Sequence, residues 1–201
     1  MSTYSALQSR IADDLDRTDL SSQIQQQIKQ AIRHYKGQRL GFNETSTTLT
    51  ATVSQNYVTA PTDLVEVDGL YITRNSYNEL LLRRPLDEII EGRRTSDATP
   101  TAYCLYAGKF ELDCPSVSAY SMPLYYVKEL TELSDGADSN GWTTDGEDLI
   151  VFHAEKKLYA NVIKDQAKAA VAASQEREAL TALRSLSMAR TSRGYTKAHY
   201  L

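Results

Sequence analysis

Apolar positions at the start of the chain recur every three or four residues. Tyr4, Leu7, Ile11 and Leu15 fall on one stripe, which predicts an amphipathic helix. Asp16-Arg17-Thr18-Asp19 interrupts it, and a second stripe follows at Ile24, Ile28, Ala31, Ile32 and Tyr35. Ser22 and Gln25 stand at capping-box spacing near its start, and Gly37 or Gly41 supplies a stop. Two short helices joined by a tight link need a third surface to bury both stripes.

From Glu44 the period shortens to two. Residues 45–53 are rich in β-branched side chains, with Leu49, Ala51 and Val53 alternating, which is strand chemistry. Tyr57-Val58 leads to Ala60-Pro61, where the proline ends pairing, and 65–72 reads as another strand. Residues 75–78 make a turn before Leu80-Leu81-Leu82. Pro85 suits a first helical position, and Leu86, Ile89 and Ile90 mark a short helix ending by Gly92. After a polar loop at 93–100, strands are predicted at 101–105, 109–114 and 122–130, with turns at Gly108 and Pro115-Ser116. The pattern predicts an antiparallel, meander-like β region.

The helical period returns after a Gly/Asp/Ser loop at 134–146. Thr144 and Glu147 form a second capping-box spacing, and Glu147 reads as a cap of the helix that follows. Its apolar face runs from Leu149 through Phe152, Leu158, Val162 and Val171, then on to Leu180, Leu183 and Leu186. Ala167, Ala169, Ala170, Ala172 and Ala173 make part of it slim and strongly helical. So long a run either breaks near Ser174 or packs between subunits. The predicted class is α+β: a helical core from both chain ends, an antiparallel β-rich insertion, and an extended C-terminal tail. The expected divisions are a helix pair at 1–43, the β-rich insertion at 44–133, the acidic loop and long helix at 134–186, and a basic tail at 187–201.

Charge changes this picture at two places. The 201 residues carry 22 bases and 26 acids, a net charge of −4. After Glu178 there is no acid, and Arg184, Arg190, Arg193 and Lys197 give the last 23 residues +4 against −8 for the rest. Residues 129–148 hold seven acids and no base. So acidic a body is a poor duplex-DNA binder, whereas a basic end can engage an acidic protein or another copy of the chain. Of 17 aromatics 13 are tyrosine, which suits half-wet faces and interfaces. No run of 18 apolar residues predicts a membrane span, and Met1-Ser2-Thr3-Tyr4 lacks a secretory pattern, so a cytoplasm-like compartment is expected.

Candidate chemistry is sparse. His34, His153 and His199 join no HExxH, GxSxG or P-loop, and Cys104 and Cys114 have no adjacent base, so no enzyme and no cofactor is expected. Asp138, Asn140, Gly141 and Glu147 match positions 3, 5, 6 and 12 of a calcium loop, but Gly136 occupies the first position and Asp135 is out of register. No metal site is therefore expected. Arg83-Arg84 and Arg93-Arg94 bracket the short helix. They read as a solvated rim, or as contacts to a neighbouring subunit's acidic loop at Asp135 and Asp138.

The order of the pieces resembles the head-to-tail adaptor (connector) proteins of tailed bacteriophages, especially the short-tailed type. It rests on the N-terminal helix pair and on 57–64, Tyr-Val-Thr-Ala-Pro-Thr-Asp-Leu, before the 65–72 strand. Leu86-Asp87-Glu88-Ile89 follows, then Pro100, Tyr103, Phe110, Leu112 and Pro115. Leu124-Tyr125-Tyr126 with Leu133, and Leu158-Tyr159-Ala160, complete the series over nearly the whole chain. The resemblance implies a virion neck protein assembled in the host cytoplasm. It implies a homo-oligomeric ring of twelve subunits under the portal protein, lengthening the channel and giving tail or nozzle proteins a platform. Genome DNA would pass without specific binding, past an acidic lining that does not hold phosphates. The C-terminal segment would grip the portal through Arg184, Arg190, Arg193, Tyr195, Lys197, His199, Tyr200 and Leu201. Extended, 23 residues reach about 75 Å at roughly 3.3 Å each. Deleting 187–201 is then expected to abolish portal binding and spare the fold. The other readings are a tail-tube or nozzle protein, or a small calcium- or nucleic-acid-binding module.

Overall fold

The computed structural model describes residues 2–190, with the backbone alone for Ala189 and Arg190. The chain divides into two compact units. One joins Met1–Asn43 to Leu130–Leu201, and the other is Glu44–Glu129.

In the first unit α1 spans Tyr4–Leu15 and buries the four stripe residues Tyr4, Leu7, Ile11 and Leu15. Thr3 caps it, its hydroxyl accepting the Ala6 N–H, and Asp16 ends it in the left-handed region. The second helix, α2, spans Ser21–Tyr35 and buries Ile24, Ile28, Ala31, Ile32 and Tyr35. Its expected capping box does not form. The helix opens one residue before Ser22, with Leu20 at the cap position, so the Ser22 hydroxyl sits inside the first turn and donates to Gln23 instead.

The single long helix is corrected to two. α4 spans Glu147–Leu158, a π-helical turn covers Tyr159–Ile163, and α5 spans Gln166–Arg190. The break lies well before Ser174, at Lys164, whose φ of 63° cannot continue a right-handed helix. The Asp165 carboxylate restarts the chain by accepting the Lys168 N–H. α4 buries Leu149, Ile150, Val151, His153, Ala154, Glu155 and Leu158, which is more than one stripe, because α1, α2 and α5 all pack on it. Ser187 to Arg190 belong to α5, so helix replaces the first four residues of the expected tail; 191–201 lie outside the described residues.

The second unit holds two four-stranded sheets. β1 (Glu44–Ala51), β8 (Tyr120–Lys128), β3 (Leu64–Arg74) and β4 (Tyr77–Leu80) lie in that order. β2 (Tyr57–Thr59), β7 (Lys109–Leu112), β6 (Ala102–Tyr106) and β5 (Leu82–Arg83) make the other. A meander is therefore not formed: β1, first in the chain, pairs with β8, last in the unit, and β5 runs parallel to β6. One buried cluster explains the order. Ala51, Leu70, Ile72, Met122, Leu124 and Tyr126 of the first sheet pack with Val58, Tyr103, Phe110 and Leu112 of the second, so the strands divide between two layers to cover it. Asn75 and Ser76, both at positive φ, form the two-residue turn from β3 to β4. α3 (Leu86–Glu91) begins after Pro85, which is its cap rather than its first residue, and buries Ile89.

Candidate assembly surfaces

In the helical unit, one carboxylate fixes α5. Glu176 is 7% exposed and collects three donors: Tyr35 Oη from α2 at 2.5 Å, His153 Nδ1 from α4 at 2.6 Å, and Lys156 Nζ from α4. Burial alone would raise its pKa, but Lys156, Tyr35 and His153 outweigh that and hold it below the usual carboxylate range. Burial pushes His153 the other way, downward, against the pull of Glu176. The His34 ring stacks on His153 with centroids 5.1 Å apart. A histidine beside a carboxylate resembles half of a hydrolase triad, but His153 is 5% exposed, held between Glu176 and the His34 ring. The arrangement does the work of a bolt: three helices are joined through one buried anion.

The acidic loop has a role that its spacing hides. Tyr4 N and Ser5 N donate to the carbonyls of Asp138 and Gly136, so the loop caps the free N–H groups of α1. The Asp138 carboxylate accepts the N–H groups of Asp135 and Ser134, which hold its pKa down, and the Asp135 side chain accepts from Ala137 N. Among the described residues no group of three or more His, Cys, Asp or Glu could hold a metal ion. Glu147 is not a helix cap. Gly146 holds that position, and Arg10 forks from α1 to Glu147 at 2.9 Å and Asp148 at 2.7 Å. Trp142, buried, meets Phe42 edge-on at 5.0 Å, and a Cβ at Gly141 would come within 2.4 Å of the Phe42 ring.

The predicted contact residues divide as follows. Arg184, on α5, donates to the Gln38 side chain, and Ser187 below it accepts the Gly41 N–H at 2.6 Å. The Arg190 side chain, Arg193, Tyr195, Lys197, His199, Tyr200 and Leu201 lie outside the described residues. Arg93 pairs with Glu111 at 2.6 Å and Arg94 with Asp113 at 2.9 Å, both inside the β unit. Arg84 reaches Glu88 at 3.5 Å, and Arg83 is exposed on β5. Half of the basic rim is thus neutralised by its own strands. The Glu176 junction escaped sequence reasoning, because its members lie up to 141 residues apart. The one available signal was a glutamate on the Ala-rich, inward-facing side of a helix.

Among the described residues no helix is long and apolar enough to cross a membrane. The family model described as SU10 adaptor protein matches residues 2–199. Comparison with curated proteins finds no match. The chain belongs to the SU10 adaptor protein family and is a phage head-to-tail adaptor, in keeping with the order of motifs along its sequence.

Proposed function

We propose that this adaptor acts as a ring of copies, twelve by its resemblance to the connectors, set beneath the portal protein at the neck of the virion. The ring lengthens the DNA channel and offers tail or nozzle proteins a surface, and it carries out no catalysis. Family membership over residues 2–199, most of the basic end included, carries this reading.

The charge polarity supports it. A body at −8 lining a channel repels phosphate, while the +4 end offers an acidic portal surface a tether. Tyr195, Tyr200 and Leu201 supply apolar anchors beside Arg190, Arg193, Lys197 and His199. Arg184 stands at the root of that segment, on a helix bolted to α2 and α4 through Glu176. Between copies at −4 each, Arg83 and Arg84 are the rim residues left to meet the neighbour's acidic loop at Asp135 and Asp138, since Arg93 and Arg94 are already paired with Glu111 and Asp113.

Portal protein incubated with the full chain and with a chain ending at Arg190 tests the reading. The cut falls after Arg190 rather than before Ser187 because Ser187 contacts Gly41. Electron microscopy should show rings on the portal with the full chain only, and circular dichroism should show both chains folded. Normal portal binding by the shortened chain would remove the tether, and binding only to an outer tail layer would make the chain a tail component.

A further inference from the structure

We infer that the outer face of the first sheet is a contact surface for a second copy of this chain. The inference rests on the ring reading and names the surface through which neighbouring copies touch.

Alternation places this face opposite the buried cluster. Leu49, Met122, Leu124, Leu70 and Ile72 turn inward. Outward stand Ser46, Thr48 and Thr50 of β1 and Ser121, Pro123 and Tyr125 of β8. Tyr71 of β3 and Leu80 of β4, paired with each other, continue it. None of these positions is charged, in a chain where 24% of residues are. Acids gather toward one end, at Glu44 and Glu66 beside the buried Val127, and at Asp68 in the bulge before Gly69. The outer side of the second sheet is different: Glu111 binds Arg93 there, and the Lys109 ammonium lies 4.3 Å over the Tyr57 ring.

The neutral face is also shaped. A Cβ at Gly69 would stand 2.8 Å from the Tyr71 ring, so the glycine leaves room for that ring to fold down onto the sheet. There it meets Tyr125 edge-on, with centroids 5.7 Å apart. Tyr125 remains 48% exposed and Leu80 56% exposed. Two rings held by their own strand neighbours lose little freedom on docking, as suits an interface anchor.

Charge and area choose the occupant. Two copies at −4 repel, and an uncharged face lets them meet without opposing acids. Three strands of about eight residues and one of four, about 4.8 Å apart at about 3.3 Å per residue, span roughly 450 Å². A stable pair buries about 800 Å² on each partner. The face is therefore too small to hold a lone pair firmly, but it suits copies that are gathered side by side and each touch two neighbours. Ring closure requires it to pack on a different surface of the next copy.

Sedimentation velocity on the full chain up to about 0.5 mM, a range chosen for weak interfaces, tests this beside ring formation on the portal. Tyr125→Asp puts a charge at the anchor, and Thr48→Lys does so at an exposed position that leaves the core untouched. Lys109→Gln is the control on the second sheet. Both face variants should stay folded and weaken self-association by about tenfold or more, the loss of an interface anchor, while the control matches the parent. Variants that associate and form rings as the parent does would overturn the face and leave the ring intact. Variants that form rings but fail to recruit the next tail protein would assign the face to that protein instead. A parent that neither self-associates nor forms rings would overturn the ring reading as well.

Discussion

Glu155 should titrate near neutral pH and weaken the helical unit when it ionises. Its side chain is 6% exposed in the core of α4, and Oε1 has no hydrogen-bond partner. Burial first, and then the neighbouring Asp14 carboxyl, pushes its pKa up to about 8 from an ordinary 4.5. Between those values the unfolded chain has released the proton and the folded chain keeps it. Stability that is full below pH 4.5 therefore drains as pH rises and levels off above 8. Each tenfold change in proton affinity is worth about 1.4 kcal/mol, so the difference of about 3.5 in pKa sets a ceiling near 5 kcal/mol. Relaxation and water access bring the expected effect to about 2–3 kcal/mol. Glu155→Gln keeps the volume and removes the titration. Urea unfolding from pH 4.5 to 8.5 should show the variant matching the parent at the acid end and exceeding it by that amount at the alkaline end. Two parallel curves would refute the reasoning.

Three further substitutions probe the frame that carries the basic end. Glu176→Ala leaves Lys156, His153 and Tyr35 without their shared acceptor and should cost on the order of 3 kcal/mol in urea, with faster amide exchange in α5. Gly141→Ala drives a methyl into the Phe42 ring and should cost about 1–3 kcal/mol, read as a lower thermal midpoint with altered Trp142 fluorescence. Lys164→Gly relieves a left-handed backbone at the break between α4 and α5, and a gain of about 0.5–1 kcal/mol is expected; a loss would mean that the Lys164 side chain matters more than its φ.

Local chemistry was readable wherever it was sufficient. The stripes of α1 and α2 name their buried residues one by one, and the strands of the β unit lie within a few residues of the alternating runs, because periodicity reports which side of an element meets water. The two capping boxes failed because Ser22 and Thr144 have the right spacing but the helices start elsewhere, and a cap depends on backbone angles that spacing does not carry.

The sequence by itself determined that helices flank a β middle, that the charge is polarised, and, through the order of its motifs, the family. Tertiary structure decided the rest. It set β1 against β8, placed β5 parallel to β6, ended the long helix at Lys164, and brought Tyr35, His153 and Glu176 to one point. Those are choices of partner among distant segments. A short window records only each segment's preference for burial, whereas pairing follows from which surfaces together exclude water and satisfy every buried polar group.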